Sequence, residues 1–252
     1  MRSGYANNLV PDLRPMRTLG MLLLGFLLAG GMAGVAGTLQ SEESGTRSAG
    51  TLEAALTGMD RAAARFTGVT ADLDYTKVTV IVDDHSTDRG TVAFAKKNGE
   101  ARVMLAFQEP AERFVLFEGN KVSLYRPRIA EVEVYEIGNR QGLVEQFLLL
   151  GFGTPGSELQ NRYQITWHGE DSLDGERVVH LELVPKSEQA AARLARIELW
   201  LSPENWQPLQ QRFWEPSGDY MIARYTNLKL NPNIPDRAFR LPLRGNVRTV
   251  NR

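Results

Sequence analysis

The residues that could do chemistry are few and scattered in this sequence of 252 residues. It contains three histidines and no cysteine, which excludes disulfides, thiolate metal sites and a cysteine nucleophile. Asp83, Asp84 and His85 are adjacent in a predicted turn, where acidic residues are common without a metal, and neither His168 nor His180 has a partner at ligand spacing. The sequence therefore predicts no catalytic group, no metal and no cofactor, and favours a binding protein over an enzyme.

Carboxylates occur in same-face pairs on predicted strands, at Glu131 and Glu133 and at Asp72 and Asp74. Alternate residues of a strand share a face, and a charged face is usually the one that water covers. We therefore expect both pairs to be solvated.

The overall charge argues against a nucleic-acid partner. There are 29 Lys and Arg against 30 Asp and Glu, a formal net charge of −1, and nucleic-acid affinity rests largely on neutralising phosphates. The hydrophobic content of 42% is that of a globular protein rather than a disordered chain.

Residues 1–37 have the pattern of a secretory signal peptide. Arg14 and Arg17 precede an uncharged apolar run over 19–36 that ends in small residues, and Met16 is an alternative start. The rival interpretation is an uncleaved inner-membrane anchor, since about 18 apolar residues just reach spanning length. Both place the rest of the chain in the periplasm. Residues 38–50, rich in Ser, Gly, Thr and Glu, predict a flexible linker.

The remaining residues, 51–250, are predicted to form one mainly β domain. Residues 52–66 have the spacing of an amphipathic helix, residues 142–150 read as a short apolar helix, and residues 83–90 are rich in turn formers. Elsewhere alternating apolar residues predict about ten or eleven antiparallel strands. We expect a single curved sheet forming an unclosed β-barrel, with the N-terminal helix and a short lid helix over an apolar cavity.

The cavity is expected because one face of almost every strand is apolar and little helix is available to cover it. A closed barrel filled by its own side chains fits the pattern equally well. If the cavity is open, it suits lipid acyl chains, and its lining is predicted to comprise Phe94, Leu105, Phe107, Phe117, Val134, Trp167, Leu199 and Trp214.

The order of several segments resembles the LolA-type periplasmic lipoprotein carriers, which share their fold with the receptor LolB. These segments are 119–127 (GNKVSLYRP), 183–186 (LVPK), 197–201 (IELWL) and 227–232 (NLKLNP). The resemblance covers about residues 51–250 and implies a carrier, monomeric and without covalent chemistry. Such a carrier takes lipoprotein acyl chains from an inner-membrane release complex to an outer-membrane acceptor.

The resemblance also implies a lid, which we place at 142–150 with Leu143, Phe147 and Leu150 facing the cargo. The carriers usually have an Arg-Pro that tethers the lid, but this sequence has Lys96 and Lys97 there. A lysine can serve as a tether only as a point charge, without the planar fork of arginine. The alternative function is a membrane-anchored envelope sensor on the same fold that binds a lipoprotein or peptide segment.

Overall fold

The computed structural model describes residues 45–97, 100–136 and 150–252, all within one compact unit. The predicted signal peptide, the first part of the linker, Leu143, Phe147 and the side chain of Lys97 lie outside the described residues. None of the helices in the described ranges has the length and apolar character needed to cross a membrane.

The described residues form a long N-terminal helix, twelve strands and short helical pieces. In chain order they are α1 (Gly45–Ala63), β1 (Gly68–Thr79), a 3-10 turn (Val80–Val82), β2 (Asp84–Lys97), β3 (Glu100–Glu109), β4 (Arg113–Glu118), β5 (Lys121–Arg126), a 3-10 turn (Pro127–Ile129), β6 (Glu131–Glu136), α2 (Gly156–Arg162), β7 (Tyr163–Leu173), β8 (Glu176–Pro185), α3 (Glu188–Ala191), β9 (Arg196–Leu201), β10 (Pro208–Trp214), β11 (Tyr220–Leu230), a 3-10 turn (Asp236–Phe239) and β12 (Arg248–Asn251).

All twelve strands belong to one sheet in the order β12-β6-β5-β4-β3-β2-β1-β11-β10-β9-β8-β7. Neighbouring strands are antiparallel except β12, which runs parallel to β6. The predicted mainly β, curved and unclosed sheet is confirmed. The strand beyond the expected ten or eleven is β12, whose four residues are too few to show an alternation.

Two segment predictions are wrong. Residues 84–90 belong to β2 and not to a turn: they pair with the second half of β1, where the hydroxyls of Thr76 and Thr87 lie 2.8 Å apart. The polar composition of this segment is typical of a turn, but its pairing with β1 makes it a strand. The helix begins at Gly45, so residues 45–50, which the sequence predicts as linker, are helical.

Helix α1 and the segment 150–162 pack on one face of the sheet, which we call the inner face. The rings of Phe66 and Phe94 are 5.3 Å apart, and Phe152 meets Tyr225 edge-on at 4.9 Å. At Gly156, the first residue of α2, an added Cβ would lie 2.4 Å from a backbone atom of Leu56 in α1. A glycine is therefore required where the two helices touch.

The opposite, outer face is partly covered by the residues that follow β11. Arg102 on β3 bonds Asp236 at 2.7 Å and lies over the ring of Phe239 at 4.5 Å. The amide of Arg244 donates to the hydroxyl of Tyr125 on β5 at 3.2 Å, and Tyr125 is buried. This segment carries the chain to the sheet edge, where β12 pairs with β6.

Candidate lipid-binding site

A pocket of about 400 Å³ lies between α1, β2, β3 and the segment 150–163. Its position follows from the fold, because α1 and α2 cross the inner face and leave the ends of β2 and β3 beneath them. Much of the lining is aromatic or aliphatic, and comprises Ala63, Ala64, Phe66, Phe94, Ala101, Leu150, Phe152, Pro155, Leu159 and Tyr163. This size falls within the range of small-ligand sites.

Charged side chains also line this pocket, which makes it amphipathic. Asp60 of α1 accepts hydrogen bonds from the amide and hydroxyl of Ser157 at 3.2 and 3.0 Å, which joins α1 to α2. Within α2, Arg162 and Glu158 form an ion pair at 2.9 Å. Lys96 lines the same pocket from β2. The pocket can thus take an apolar chain while presenting charged groups of both signs to a polar head group.

Most of the predicted lining residues lie on the inner face, but few reach the pocket. The register places Phe94, Leu105, Phe107, Phe117, Trp167 and Leu199 on that face. Among these and the predicted lid residue Leu150, only Phe94 and Leu150 line the described pocket. Leu105, Phe107, Phe117 and Leu199 are core residues 0–5% exposed, and Trp167 is half-buried on the edge strand β7.

The structure places Val134 and Trp214 on the outer face, so their predicted place in the cavity is wrong. Val134 is opposite Ser123 in the register, whereas the neighbouring Glu133 is opposite the inner-face Leu124. Trp214 donates its indole N–H to Glu198 at 2.6 Å on the outer face. Side chains alternate between the two faces along a strand. Where a polar residue lies on the inner face, its apolar neighbours lie on the outer face, so the apolar pattern predicts the wrong face.

In both β6 and β10, the residues that lie on the inner face include polar side chains that are buried. On β6, Glu131 and Glu133 are 6% and 2% exposed, against the expectation that they are solvated. Asp72 and Asp74 are exposed as predicted. The two pairs differ in position, because Glu131 and Glu133 lie on the inner face, where Arg126 is 2.9 and 3.0 Å from them, whereas Asp72 and Asp74 lie on the outer face. Paired carboxylates can be buried.

On β10 the buried polar residue is Gln211, which the sequence analysis missed. Its amide donates to the carbonyl of Leu150, and its carbonyl accepts from the hydroxyl of Tyr225 at 2.7 Å. Burial raises the pKa of Tyr225, which keeps that hydroxyl a donor. Nearby, the amide of Gly153 donates to Gln207 at 3.1 Å. These bonds fix the segment 150–153, which forms one wall of the pocket.

Outer-face Glu198 is the carboxylate with the most strongly lowered pKa. Burial by itself raises its pKa, but His180, whose Nε2 lies 3.4 Å from the carboxylate, the hydrogen bond from Trp214 and the charge of Arg212 outweigh this and lower the pKa from 4.5 to about 2. The ring of His180 stacks between His168 and Trp200, with centroids at 4.6 and 4.4 Å. The charged form of Glu198 is therefore part of the folded structure.

Acid is expected to destabilise the protein partly through Glu198. Because its folded pKa lies below its unfolded value, its stabilisation is present above pH 4.5 and is lost as the pH falls toward 2. Urea unfolding at pH 7, 4.5 and 3 should show a smaller acid-induced loss of unfolding free energy in Glu198→Gln than in the wild type. The exposed Glu204 supplies the matched control, Glu204→Gln. Equal losses in all three proteins would contradict this role.

Asp83, just before β2, and His85, within β2, lie beside each other. His85 Nε2 lies 3.2 Å from Asp83 Oδ1, and both side chains are exposed. Over the ranges 45–97, 100–136 and 150–252, no group of three or more His, Cys, Asp or Glu side chains is arranged to hold a metal ion.

Comparison with known proteins shows likeness in fold and not in sequence. No model of a known protein family matches the chain, and no curated protein matches its sequence. MucB is similar with a TM-score of 0.51 and 15% identity over 79% of this chain and 66% of that chain. The MucA/MucB complex of Pseudomonas aeruginosa gives 0.46 and 15% over 76% and 61%. A LolA superfamily protein from Nitrosomonas europaea gives 0.36 and 16% over 75% and 97%.

The chain thus spans just under two thirds of the MucB chains it matches. At these identities the likeness concerns the fold alone. At that level the chain shares the fold of MucB, with the mainly β, unclosed sheet that the sequence predicts.

Proposed function

We propose that this protein is a non-enzymatic lipid carrier, which binds an acyl chain of a lipid or lipoprotein on the inner face of its open sheet. The observation that carries the proposal is the amphipathic pocket of about 400 Å³ between the helices and the sheet. Its aromatic wall of Phe66, Phe94 and Phe152 suits an acyl chain, and its charged side chains, which are of both signs, suit a polar head group.

The affinity such a pocket can supply is sufficient for carriage. Burying an acyl chain yields about 0.8 kcal/mol per methylene, so eight methylenes yield about 6 kcal/mol. A non-covalent complex of this kind can release its cargo to a membrane or an acceptor. We place the carrier in the periplasm as a monomer between an inner-membrane release complex and an outer-membrane acceptor, with residues 142–150 as its lid.

The alternative is a membrane-anchored sensor on the same fold that binds a protein segment. It remains a candidate because MucB, whose fold is similar, has been solved in complex with MucA. A sensor of this kind predicts a lipid-free protein with an uncleaved N-terminus, whereas the carrier predicts bound lipid and a cleaved one.

Native mass spectrometry of the full chain, expressed in a bacterium and recovered from the periplasm without detergent, tests the carrier directly. We expect a stoichiometric lipid or acylated species that is released when the protein is denatured. Delipidated protein should then take up a fluorescent fatty acid. Lipid-free protein that takes up no fatty acid would contradict the carrier and favour the sensor. Determining the N-terminal sequence of the protein from the periplasmic fraction and from the membrane fraction of the same cells distinguishes a cleaved signal from an anchor.

A further inference from the structure

Strand β12 pairs with the edge strand β6, and its side chains contact β6 through ion pairs more than through apolar packing. Of the residues of β12, only Val250 is half-buried, and the others are exposed. The backbone holds β12 through bonds such as Arg248 N–H to the carbonyl of Ala130 at 2.8 Å and Arg252 N–H to that of Val134 at 2.9 Å. Such pairing is available to any extended segment, because an edge strand is a general template.

The side chains of β6 beneath β12 form a buried acidic pair. Arg248 bonds Glu131, and Arg252 bonds Glu133 at 2.9 Å. The two glutamate side chains are 8% and 3% exposed, whereas the two arginine side chains are 75% and 52% exposed. The buried member of each ion pair therefore belongs to the body of the sheet, and the exposed member belongs to the short edge strand.

Without β12 the charges on this edge do not balance. Arg126 is the remaining cation within 4 Å of both carboxylates among the described residues, and the hydroxyl of Tyr135 donates to Glu133 at 3.1 Å. Two carboxylates of β6 would then share one guanidinium beside an unpaired strand edge. An edge that pairs its backbone with any extended segment and carries excess negative charge favours a strand that bears cations.

The geometry points to a docking site on the β6 edge for an extended basic segment of a partner protein. We define this acidic edge by Glu131, Glu133 and the backbone of β6 that β12 pairs with. The partner segment has the form Arg-x-apolar-x-Arg and runs parallel to β6. Residues 248–252, Arg-Thr-Val-Asn-Arg, have this form and occupy the acidic edge in cis.

Spacing gives the site its selectivity. In a strand, residues 248, 250 and 252 share one face, and the register puts Arg248 opposite Glu131 and Val250 opposite Glu133. A partner therefore needs two cations four residues apart with a small apolar residue between them. Strand addition takes its affinity from the backbone and its selectivity from alternate side chains. The site is separate from the lipid pocket and does not depend on lipid carriage.

A peptide exchange experiment on the full chain tests the acidic edge. The Arg248→Ala/Arg252→Ala variant weakens the cis strand and leaves Glu131 and Glu133 intact. A capped, fluorescent peptide of residues 245–252, Gly-Asn-Val-Arg-Thr-Val-Asn-Arg, is titrated against it, with a peptide carrying glutamine in place of both arginines as control. We expect the arginine peptide to bind the variant at least about tenfold tighter than it binds the wild type or than the control peptide binds the variant.

Equal binding of the two peptides to the variant, or no binding of either, overturns the proposal. Hydrogen exchange on the wild type provides a second measurement that needs no substitution. If β12 opens on its own, the amides of Arg248 and Arg252 exchange about a hundredfold faster than those of β4 and β5. Exchange of both sets at one common rate would show that β12 leaves the edge only when the whole protein unfolds, which also overturns the proposal.

Discussion

Replacing Ala101 with tryptophan is expected to abolish lipid retention while leaving the protein folded. Ala101 is a half-buried residue at the start of β3 that lines the pocket opposite Phe66 and Phe152 of the covering segments. An indole ring there fills the volume that an acyl chain needs. Because Ala101 borders open space rather than packed core, the substitution adds little of the strain that overpacking causes in a filled interior.

The matched control is Gln108→Trp, on the same strand. Gln108 is exposed and does not line the pocket. Lipid bound per protein, counted by native mass spectrometry, should fall at least about tenfold in Ala101→Trp and stay at the wild-type level in Gln108→Trp. Thermal unfolding establishes that both variants are folded. Full lipid retention by Ala101→Trp would place the cargo outside this pocket.

Replacing Leu199 with alanine is expected to cost about 2–5 kcal/mol of unfolding free energy. Leu199 is 0% exposed and lies between Leu181 of β8 and Gln211 of β10 on the inner face. The segment that begins at Leu150 covers it, since an added Cβ on Gly151 would lie 3.7 Å from its side chain. Truncation therefore leaves a cavity that closely packed neighbours fill only partly.

Leu243→Ala makes the same chemical change at a site that is 55% exposed, and it is expected to change stability by no more than about 0.5 kcal/mol. Urea denaturation measures both variants. Leu199→Ala should keep its lipid under conditions where it is folded, because Leu199 does not line the described pocket. A small stability loss combined with lost lipid would instead make Leu199 a cargo contact, as the sequence pattern predicts.

Apolar residues on the inner face could be predicted more readily than the pocket itself. Alternation in β3 assigns Leu105 and Phe107 to one face, and the register agrees. Whether such a residue meets cargo or core depends on what packs above it. That covering is made by α1 and the segment from 150, which are distant in the sequence from β3 and from Leu199.

The sequence by itself determined the class of fold, because strands and tight turns are encoded by residues that are neighbours in the chain. Side chains alternate along a strand, so the mainly β organisation was readable without partners. Tight turns were readable too: Asp174 and Gly175, at φ of 54° and 84°, connect β7 to β8 as a turn-forming Asp-Gly pair should. The exposure of Asp72 and Asp74 followed from the same rule.

Only the tertiary structure decided that polar side chains of β6 and β10 lie buried on the inner face, and that a twelfth strand exists. Glu131 and Glu133 can be buried because Arg248 and Arg252, more than a hundred residues further along the chain, neutralise them. Gln211 can be buried because Leu150 and Tyr225 accept and donate its hydrogen bonds. A polar side chain is buried at little cost only when another group forms a hydrogen bond or an ion pair with it. No local pattern in a single sequence identifies such partners when they are so far apart in the chain.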